Sequence, residues 1–575
     1  MPRKPGRRNA DLAGYLTGIL LLVAPGAANF AWAQAPQLPS GVLPSQQPLP
    51  QPDFRTPPPE QLKLPPVSPA DADRLPRMTR VMVRRIRITG NTVIPDAELE
   101  KIAAPFENRE LGNIELEELR QRLTALYVSR GYINSGAVLP DQKVIAGVIE
   151  FRIVEGRLTR TEIEGTEHFD KAYFIDRITL HAGPPLNLPE LEQELQILLR
   201  NPLVKSMNAQ LVPGERPGEA VLKAQVKEAP RYNLGLVLDN KLAPSLGEAK
   251  GTLLGSINNL IGRGDVLEGE FGYAEGIPYD LKLRFRTPIN VHDTAIGVHY
   301  ETTKATVVES PFDVLDIKSR LETIGAQVSH PVFRTPNQEL VLAGVVERRE
   351  TKTTLLGVPF SFSPGVNDGK ATVSALRLVG DYVDRGRTQV IAARSTVSIG
   401  LDAFGSTINA SGPDSRFTAW LGQFQWVKLL GERGDQLRFR ADFQYTNDAL
   451  LPVEQYAVGG LDSVRGYRAF QLLRDKGYTA SVEYRIPVFS NPIGERNLQF
   501  AAYVDTGGAR FNERQNPSPS QLTGVGVGLI WNPSPEFSAE LYYAKGLNDV
   551  PDPPTHSLQD DSVYFRLIVR PAFLN

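Results

Sequence analysis

The chain contains, between two strongly alternating segments, the stretch Gly459-Gly460-Leu461-Asp462-Ser463-Val464-Arg465-Gly466-Tyr467-Arg468. The strand before it is predicted to span Leu437 to Tyr445, and the strand after it Tyr478 to Val488. A loop of about 27 residues between regular strands is usually functional or disordered. Disordered segments are polar and poor in aromatic residues, whereas glycines and aromatic residues frame Arg465. We therefore interpret the segment as an ordered functional loop.

Period-two alternation continues through residues 230–575, which we assign to one domain. Between Leu437 and Tyr445, apolar residues alternate with arginine, aspartate and glutamine. Such alternation is typical of strands with one apolar and one polar face. Counting these runs predicts about sixteen antiparallel strands, a number found among outer-membrane barrels.

The connections between these strands are alternately short and long, which is typical of outer-membrane barrels. The short ones include Ile261-Gly262-Arg263-Gly264, Asp384-Arg385-Gly386-Arg387 and Asn532-Pro533-Ser534-Pro535. The long ones include 304–317, 351–368, 448–474 and 547–559, while 276–278 is short where a long loop is expected. A soluble β-sandwich does not require this many long strands together with an export signal and such asymmetry. The predicted fold class is a transmembrane β-barrel of about 16 antiparallel strands.

Composition and the N-terminus indicate an exported protein. The chain has 575 residues, a net charge of -2 and no cysteine. This charge gives no support for a nucleic-acid partner, and the lack of cysteine excludes disulfides, thiolate metal sites and cysteine nucleophiles. Residues 1–33 have the form of a signal peptide with cleavage after Ala33. Residues 34–76 are proline-rich and are predicted to form an extended linker.

Two small α/β domains are predicted ahead of the barrel, over residues 77–156 and 157–229. Each shows the order strand, helix, helix, strand, strand, so the region is an internal repeat. In the first, a helix with Asn113 as its N-cap carries Leu116, Leu119 and Leu123 on one face. Neither domain shows clustered carboxylates, clustered histidines or a glycine-rich phosphate loop. Binding is therefore favoured over catalysis.

The strand from Leu498 to Asp505 provides a candidate partner for the long loop. If its apolar face meets lipid, Asp505 points into the lumen, and Gly507 after it leaves room for another chain to approach. A guanidinium binds a carboxylate through two parallel hydrogen bonds. The hypothesis is that Arg465 folds back into the lumen and pairs with Asp505.

Other motifs do not indicate an enzyme. Gly524-Val525-Gly526-Val527-Gly528 lies in a strand pattern, so it is not interpreted as a nucleotide loop. The six histidines lack metal-ligand spacing, and no G-x-S-x-G elbow is present. We predict no catalytic residues, no cofactor, no metal and no nucleotide partner.

Two of these segments resemble motifs of a known superfamily. Val464-Arg465-Gly466-Tyr467 resembles the loop motif of the outer-membrane assembly and translocation superfamily, and Tyr503-Val504-Asp505-Thr506-Gly507 resembles its partner strand motif. The arginine and the aspartate meet inside the barrel in that superfamily. The resemblance therefore implies a lumen site formed by Val464, Arg465, Gly466, Tyr467, Tyr503, Asp505 and Gly507.

The residues before the barrel, and those at its start, resemble one particular family within this superfamily. Segments 127–132, 139–142 and 154–156 resemble the first polypeptide-transport-associated (POTRA) domain of two-partner secretion transporters, the haemolysin activation/secretion family. Leu211-Val212-Pro213-Gly214 resembles the second such domain, and Asn258 to Asp265 the start of that family's barrel. The residues that carry the first likeness are Tyr127, Arg130, Gly131, Tyr132, Pro140, Gln142 and Gly156.

This family implies a function, a place and partners. A large, unfolded secreted protein, typically a haemolysin, adhesin or contact toxin, binds the POTRA domains in the periplasm and threads through the barrel to the cell surface. The location is the outer membrane of a Gram-negative bacterium. The expected partners are that secreted polypeptide, outer-membrane lipid and, during biogenesis, the barrel-assembly machinery.

Two other functions remain as alternatives. One is a factor that inserts proteins into the outer membrane, although such relatives usually carry more POTRA domains. The other is a passive pore for small solutes, which leaves the periplasmic repeat and the long arginine loop without a purpose.

Two departures from the family are also expected. Residues 34–76 show no clear plug helix, and the terminal aromatic residue is Phe573 rather than the last residue of the chain.

Overall fold

The computed structural model describes residues 49, 62–63, 80–489, 497–550 and 556–571. The predicted signal peptide with Ala33, most of the linker and Phe573 lie outside these residues. The chain divides into two compact units, one of residues 57–229 and one that contains residues 230–575. Among the described residues, no helix has both the length and the apolar character needed to cross a membrane.

The unit of residues 57–229 contains two α/β domains. The first domain has strands β2 (Val81–Val83), β3 (Arg85–Thr89), β4 (Arg109–Leu111), β5 (Gly136–Val138) and β6 (Val148–Val154), with helices α1 (Asp96–Ala103) and α2 (Asn113–Ser129). The second has β7 (Arg157–Glu164), β8 (Val204–Pro213) and β9 (Glu219–Glu228), with α3 (Lys171–His181) and α4 (Leu188–Leu199). Each domain therefore repeats the predicted order, with the additional pair β2 and β4 in the first.

Side-chain caps fix where the helices of this unit begin. The Asp170 carboxylate accepts a hydrogen bond from the backbone of Ala172 at 3.0 Å, and the Asn187 side chain accepts one from Glu190 at 3.4 Å. Helix α2 differs from expectation, because Asn113 is its first residue and Gly112 takes the N-cap position. The Glu115 carboxylate accepts the Gly112 N–H at 2.9 Å instead.

A glutamate at the end of the last strand closes each domain in the same way. Glu155, after β6, accepts hydrogen bonds from the backbone of Thr92 and Val93 and from the Tyr127 hydroxyl. Glu228, at the end of β9, accepts three backbone N–H groups from residues 167–169. Burial alone would raise the pKa of both carboxyl groups, but these hydrogen bonds lower the pKa of each below its ordinary value.

The linker contributes a strand to the second domain. Its sheet has the order β1-β8-β9-β7, in which β1 (Leu62–Lys63) pairs in parallel with Ala209 and Gln210 of β8. These two linker residues are therefore more than a spacer, because they cover part of an edge strand.

The unit that contains residues 230–575 is a closed antiparallel barrel of sixteen long strands, as predicted. The first eight are β10 (Tyr232–Asp239), β11 (Lys250–Asn258), β12 (Val266–Ala274), β13 (Ile277–Pro288), β14 (Ala295–Thr306), β15 (Lys318–Arg334), β16 (Gln338–Leu355) and β18 (Lys370–Arg385). The others are β19 (Gln389–Leu401), β20 (Thr418–Leu430), β21 (Asp435–Thr446), β24 (Lys476–Phe489), β25 (Leu498–Arg510), β26 (Gln521–Ser534), β27 (Phe537–Gly546) and β28 (Val563–Val569). A short strand β17 (Val358–Pro359) extends one loop, and β28 closes the barrel on β10 over Leu236–Asp239.

The barrel has the face pattern that the alternation predicts. Apolar side chains on the outer face are exposed in the isolated chain, as expected of a lipid-facing surface; they include Leu253, Phe271, Val298, Ile324, Leu378, Val504 and Leu541. The inner face carries buried polar and charged side chains, among them Asp381, Arg394, Gln423 and Asp505. Leu49, from the N-terminal segment, packs on this inner wall against Val383, Val390 and Ala392.

We predict that Glu155→Gln weakens the unit of residues 57–229 by about 1–2 kcal/mol at pH 7, because charge-assisted hydrogen bonds are lost. The pKa values of Glu155 and Glu228 are lowered in the folded state, so their contribution is present above the unfolded pKa of about 4.3 and is lost as the pH falls through the folded values. Urea unfolding of the purified unit, followed by circular dichroism at pH 7 and pH 3, measures both effects.

The matched control is Glu164→Gln, because Glu164 is an exposed glutamate at the end of β7. It should unfold like the unsubstituted unit at both pH values. Equal stability of the Glu155→Gln and Glu164→Gln variants at pH 7 would contradict the role given to Glu155.

Candidate functional site

The connection between β21 and β24 folds into the barrel instead of extending away from it. It begins with a turn at Pro452–Glu454, and its two limbs pair as the hairpin β22 (Tyr456–Val458) and β23 (Leu472–Arg474). The hairpin is buried, and the Tyr456 hydroxyl donates to the carbonyl of Asp442 on the wall at 3.1 Å. The tip of the loop, which contains Arg465, therefore lies against the inner wall.

Arg465 and Asp505 are in direct contact at this wall. The Nε atom of Arg465 lies 2.7 Å from one carboxylate oxygen of Asp505 and Nη2 lies 2.9 Å from the other. The backbone N–H of Arg465 donates to the same carboxylate at 3.2 Å. Arg465 is 6 % exposed and Asp505 is fully buried, so the pair is shielded from water.

A second carboxylate and two aromatic rings complete the surroundings of Arg465. Glu483 on β24 accepts from Nη1 of Arg465 at 2.7 Å. The guanidinium carbon lies 3.3 Å from the ring centre of Tyr503 and 4.9 Å from that of Tyr542. A cation over an aromatic face is attracted by the ring quadrupole, most strongly when water is excluded. Neither Glu483 nor Tyr542 was among the residues expected from the sequence.

The other residues of the loop motif fix the tip by hydrogen bonds to the wall. The Tyr564 hydroxyl accepts from the Gly466 N–H at 2.9 Å and donates to the carbonyl of Tyr467 at 2.8 Å. The Tyr467 hydroxyl donates to the carbonyl of Thr523 at 2.9 Å. Val464 is fully buried and belongs to the same apolar cluster as Tyr467 and Leu522 of the wall. All four residues of the predicted motif, 464–467, therefore contact the lumen wall.

Glycines on the inner face of the wall make room for the loop. A β-carbon on Gly524 would overlap the carbonyl oxygen of Arg465, and one on Gly526 would overlap the Tyr503 hydroxyl. A β-carbon on Gly507 would lie 2.8 Å from a methyl group of Val458. The repeated glycines of β26 were recognised in the sequence only as part of a strand, because their function depends on a loop that arrives from elsewhere in the chain.

Glu454 attaches the start of the loop to a different part of the wall. It accepts from Nη2 of Arg377 on β18 at 2.7 Å and lies 3.6 Å from Nη1 of Arg349 on β16. Both arginines also pair with Glu347, at 2.6 and 3.0 Å. Because all four side chains are 2 % exposed or less, this is a buried ion network. No pattern in the sequence predicted this network.

Three further ion pairs connect the loop tip with other connections of the barrel. Arg468 binds Asp560 at 2.6 Å and Glu309 at 2.8 Å, which lie in two other long loops. Asp462 accepts from Lys241 at 2.6 Å. The loop is therefore held on several sides at once.

Two of the predicted POTRA residues, Gly131 and Gly156, lie at the junction between the two α/β domains. A β-carbon on Gly131 would lie 2.6 Å from the Pro189 ring at the start of α4, and the Gly131 and Gly156 carbonyls accept from Leu188 and Leu186. These glycines therefore allow the domains to approach closely.

The remaining residues of this set lie within the first domain. Tyr127 is buried and donates to Glu155, and its ring lies 6.1 Å from that of Tyr132. Arg130 pairs with Glu98. The Gln142 amide bonds the backbone of Glu150 in both directions at 2.8 Å and approaches the Pro140 carbonyl. The set is thus a packing motif rather than a pocket.

The arrangement at Arg465 suits a plug more than a reaction centre. Two carboxylates saturate the guanidinium, and the described residues contain no group of histidines and carboxylates that could hold a metal ion. What these contacts do is hold an ordered loop across the lumen.

Comparison with known proteins decides the family. The model for the haemolysin secretion/activation protein ShlB/FhaC/HecB matches residues 218–530, more than half of the chain. The chain belongs to this family. A ShlB-type POTRA domain matches residues 81–156. The predictions of a two-partner secretion transporter, a POTRA-barrel fold and an outer-membrane location with periplasmic POTRA domains are thereby confirmed.

Individual relatives agree with this assignment. The outer membrane transporter CdiB of Dickeya dadantii is 25% identical over 482 residues, which cover 80% of this chain and 82% of the relative. The heme/hemopexin transporter protein HuxB of Haemophilus influenzae is 21% identical over 491 residues, with the same coverage of 80% and 82%. The solved structure of CdiB from Escherichia coli has a TM-score of 0.63 at 22% identity and covers 88% of this chain and 93% of that one. These relatives are transporters, and a transporter of this family acts with a large secreted partner protein.

We predict that Arg465→Ala lowers the unfolding free energy of the transporter in detergent by about 3–5 kcal/mol, because Asp505 then remains buried without its cation, whereas Glu483 keeps Arg485. A double-mutant cycle with Asp505→Asn should show a coupling energy of at least about 1 kcal/mol. Denaturant midpoints of the full chain measure it, and Arg387→Ala, in an exposed turn, is the control. Additive losses would contradict a pair that acts as one unit.

Gly524→Ala should displace the loop tip, because the added methyl group overlaps the Arg465 carbonyl. Gly344→Ala in β16 is the matched control, since a β-carbon there meets no atom within 4 Å. The chain has no native cysteine, so Ser463→Cys provides a single thiol at the tip. We expect faster labelling of this thiol by a membrane-impermeant maleimide with Gly524→Ala, and an unchanged rate with Gly344→Ala. Equal rates in both variants would show that the glycine is not needed to seat the loop.

Proposed function

We propose that this transporter exports one large exoprotein of the haemolysin, adhesin or contact-toxin type. The exoprotein arrives unfolded in the periplasm, binds the POTRA domains and passes through the barrel to the cell surface. The observation that carries the proposal is the loop itself. Arg465 holds an ordered plug in the lumen, which a passive solute pore does not need and which a gated path for a polypeptide does. Among the relatives, ShlB of Serratia marcescens is named a hemolysin transporter protein, and this name supports the cargo class.

Capture of the exoprotein uses strand addition to a sheet edge. The parallel pairing of Leu62–Lys63 with β8 supports this mode, because an extended segment already adds to that edge through backbone hydrogen bonds. Backbone pairing provides affinity without requiring a particular sequence, and side-chain pockets add specificity. An unfolded chain with many extended segments suits such an edge.

Export by this transporter uses no nucleotide, and the barrel works within the outer membrane. No nucleotide is available in the periplasm, so folding of the exoprotein outside the cell provides the driving force. The exposed apolar outer face of the barrel supports outer-membrane lipid as its surroundings. A barrel of this kind also has the barrel-assembly machinery as its partner during biogenesis.

Deletion of the gene in its host, followed by proteomics of the cell surface and the culture medium, tests this function. We expect one very large exported protein, encoded next to the transporter, to disappear and to return on complementation with the unsubstituted gene or with Arg387→Gln. A general fall of many barrel proteins would favour the assembly factor instead. Unchanged surface and secreted proteins, together with reduced uptake of small solutes, would favour the passive pore.

A further inference from the structure

The lumen contains a cavity of about 470 Å³ next to the loop tip. Its lining extends from Asp462 and Arg465 at the tip to Ser534 at the end of β26 and Pro535 in the short turn before β27. Short turns face the periplasm in outer-membrane barrels. The cavity therefore lies on the periplasmic side of the plug, where a chain that enters the barrel arrives first.

The cavity is strongly basic. Seven basic side chains line it, against three acidic ones. Part of this charge is already neutralised in ion pairs. Arg465 binds Asp505 and Glu483, and Arg485 also binds Glu483. Arg440 binds Asp442 at 2.9 Å, and Lys241 binds Asp462 at 2.6 Å.

Three other arginines keep binding capacity towards the cavity. Arg566 on β28 is 6 % exposed, and its Nε and Nη2 atoms have no hydrogen-bond partner among the described residues. Arg570, four positions further along the chain, donates to the Pro535 carbonyl at 3.1 Å. Arg438, on the separate wall strand β21, lies 3.8 Å from the Glu483 carboxylate. Buried N–H groups without partners are costly, so Nε and Nη2 of Arg566 favour an anion in the cavity.

We propose that this cavity binds the carboxylate side chains of an acidic segment of the transported polypeptide. Guanidinium groups bind carboxylates through paired hydrogen bonds. Because Arg566 and Arg570 lie on one side of the cavity and Arg438 lies on β21, the cavity suits a segment with several carboxylates rather than one ion. The inference rests on the proposed function, because it names the chemistry of the segment that enters the lumen. Carboxylates bound beside Arg465 also compete with Asp505 and Glu483 for its guanidinium, which links arrival of the chain to release of the loop.

The test uses the purified full chain in detergent and a fluorescent peptide of eight aspartates, with binding followed by anisotropy. We expect saturable binding that Arg566→Gln together with Arg570→Gln weakens at least tenfold, and Arg438→Gln severalfold. The matched control is Arg387→Gln, an exposed arginine in the short turn between β18 and β19 outside the cavity lining. Retained heat-modifiable migration on gels shows that each variant is folded.

Two results would overturn the proposal. Unchanged peptide affinity in the folded Arg438→Gln variant and in the folded variant that combines Arg566→Gln with Arg570→Gln would exclude the cavity as the site. Full displacement of the peptide by inorganic phosphate, at matched ionic strength and at concentrations near the peptide's own, would assign the site to small anions. Failure of the proposed function is a separate outcome, since loss or retention of the secreted protein on gene deletion does not depend on peptide binding.

Discussion

The burial of one guanidinium inside the barrel is the constraint on which the rest of the structure depends. Removing Arg465 and Asp505 from water costs several kcal/mol per ion, and this cost is offset only by close geometry and additional hydrogen bonds. The structure supplies both, through the bidentate pair with Asp505, the second carboxylate of Glu483 and the ring of Tyr503. Each contact requires the tip at one position, so the pair specifies where the loop lies as well as stabilising it.

The loop also connects parts of the wall that are not neighbours in the sheet. Its tip binds β24 and β25 through Glu483 and Asp505, while its start binds β16 and β18 through the network around Glu454. Release of the loop leaves Asp505 without a cation on one side, where Glu483 still binds Arg485, and leaves an excess of arginine on the other. Opening therefore requires new partners for both groups, which an entering polypeptide or water can provide.

Much of this architecture is readable from the sequence because barrel strands have a strict period of two. The alternation fixed which face of β25 meets lipid, so the inward direction of Asp505 followed, although this strand continues to Arg510 rather than ending near Asp505. The contacts that depend on the path of the loop could not be read in this way. Tyr564 and Gly524 lie far from Arg465 in sequence, as Arg377 and Arg349 do from Glu454, and their residue types are common in any barrel. The same holds for β1, whose two residues carry no strand pattern.

A reversible covalent lock tests the central claim that the loop lies in the lumen at rest and moves for transport. A β-carbon on Gly507 would lie 2.8 Å from a methyl group of Val458, so cysteine side chains at these two positions lie next to each other, and the chain has no native cysteine. In a strain carrying Val458→Cys and Gly507→Cys, we predict that the disulfide forms, that secretion of the partner protein stops, and that a reductant restores it. Each single substitution serves as a control. Normal secretion by fully cross-linked transporter would contradict the account.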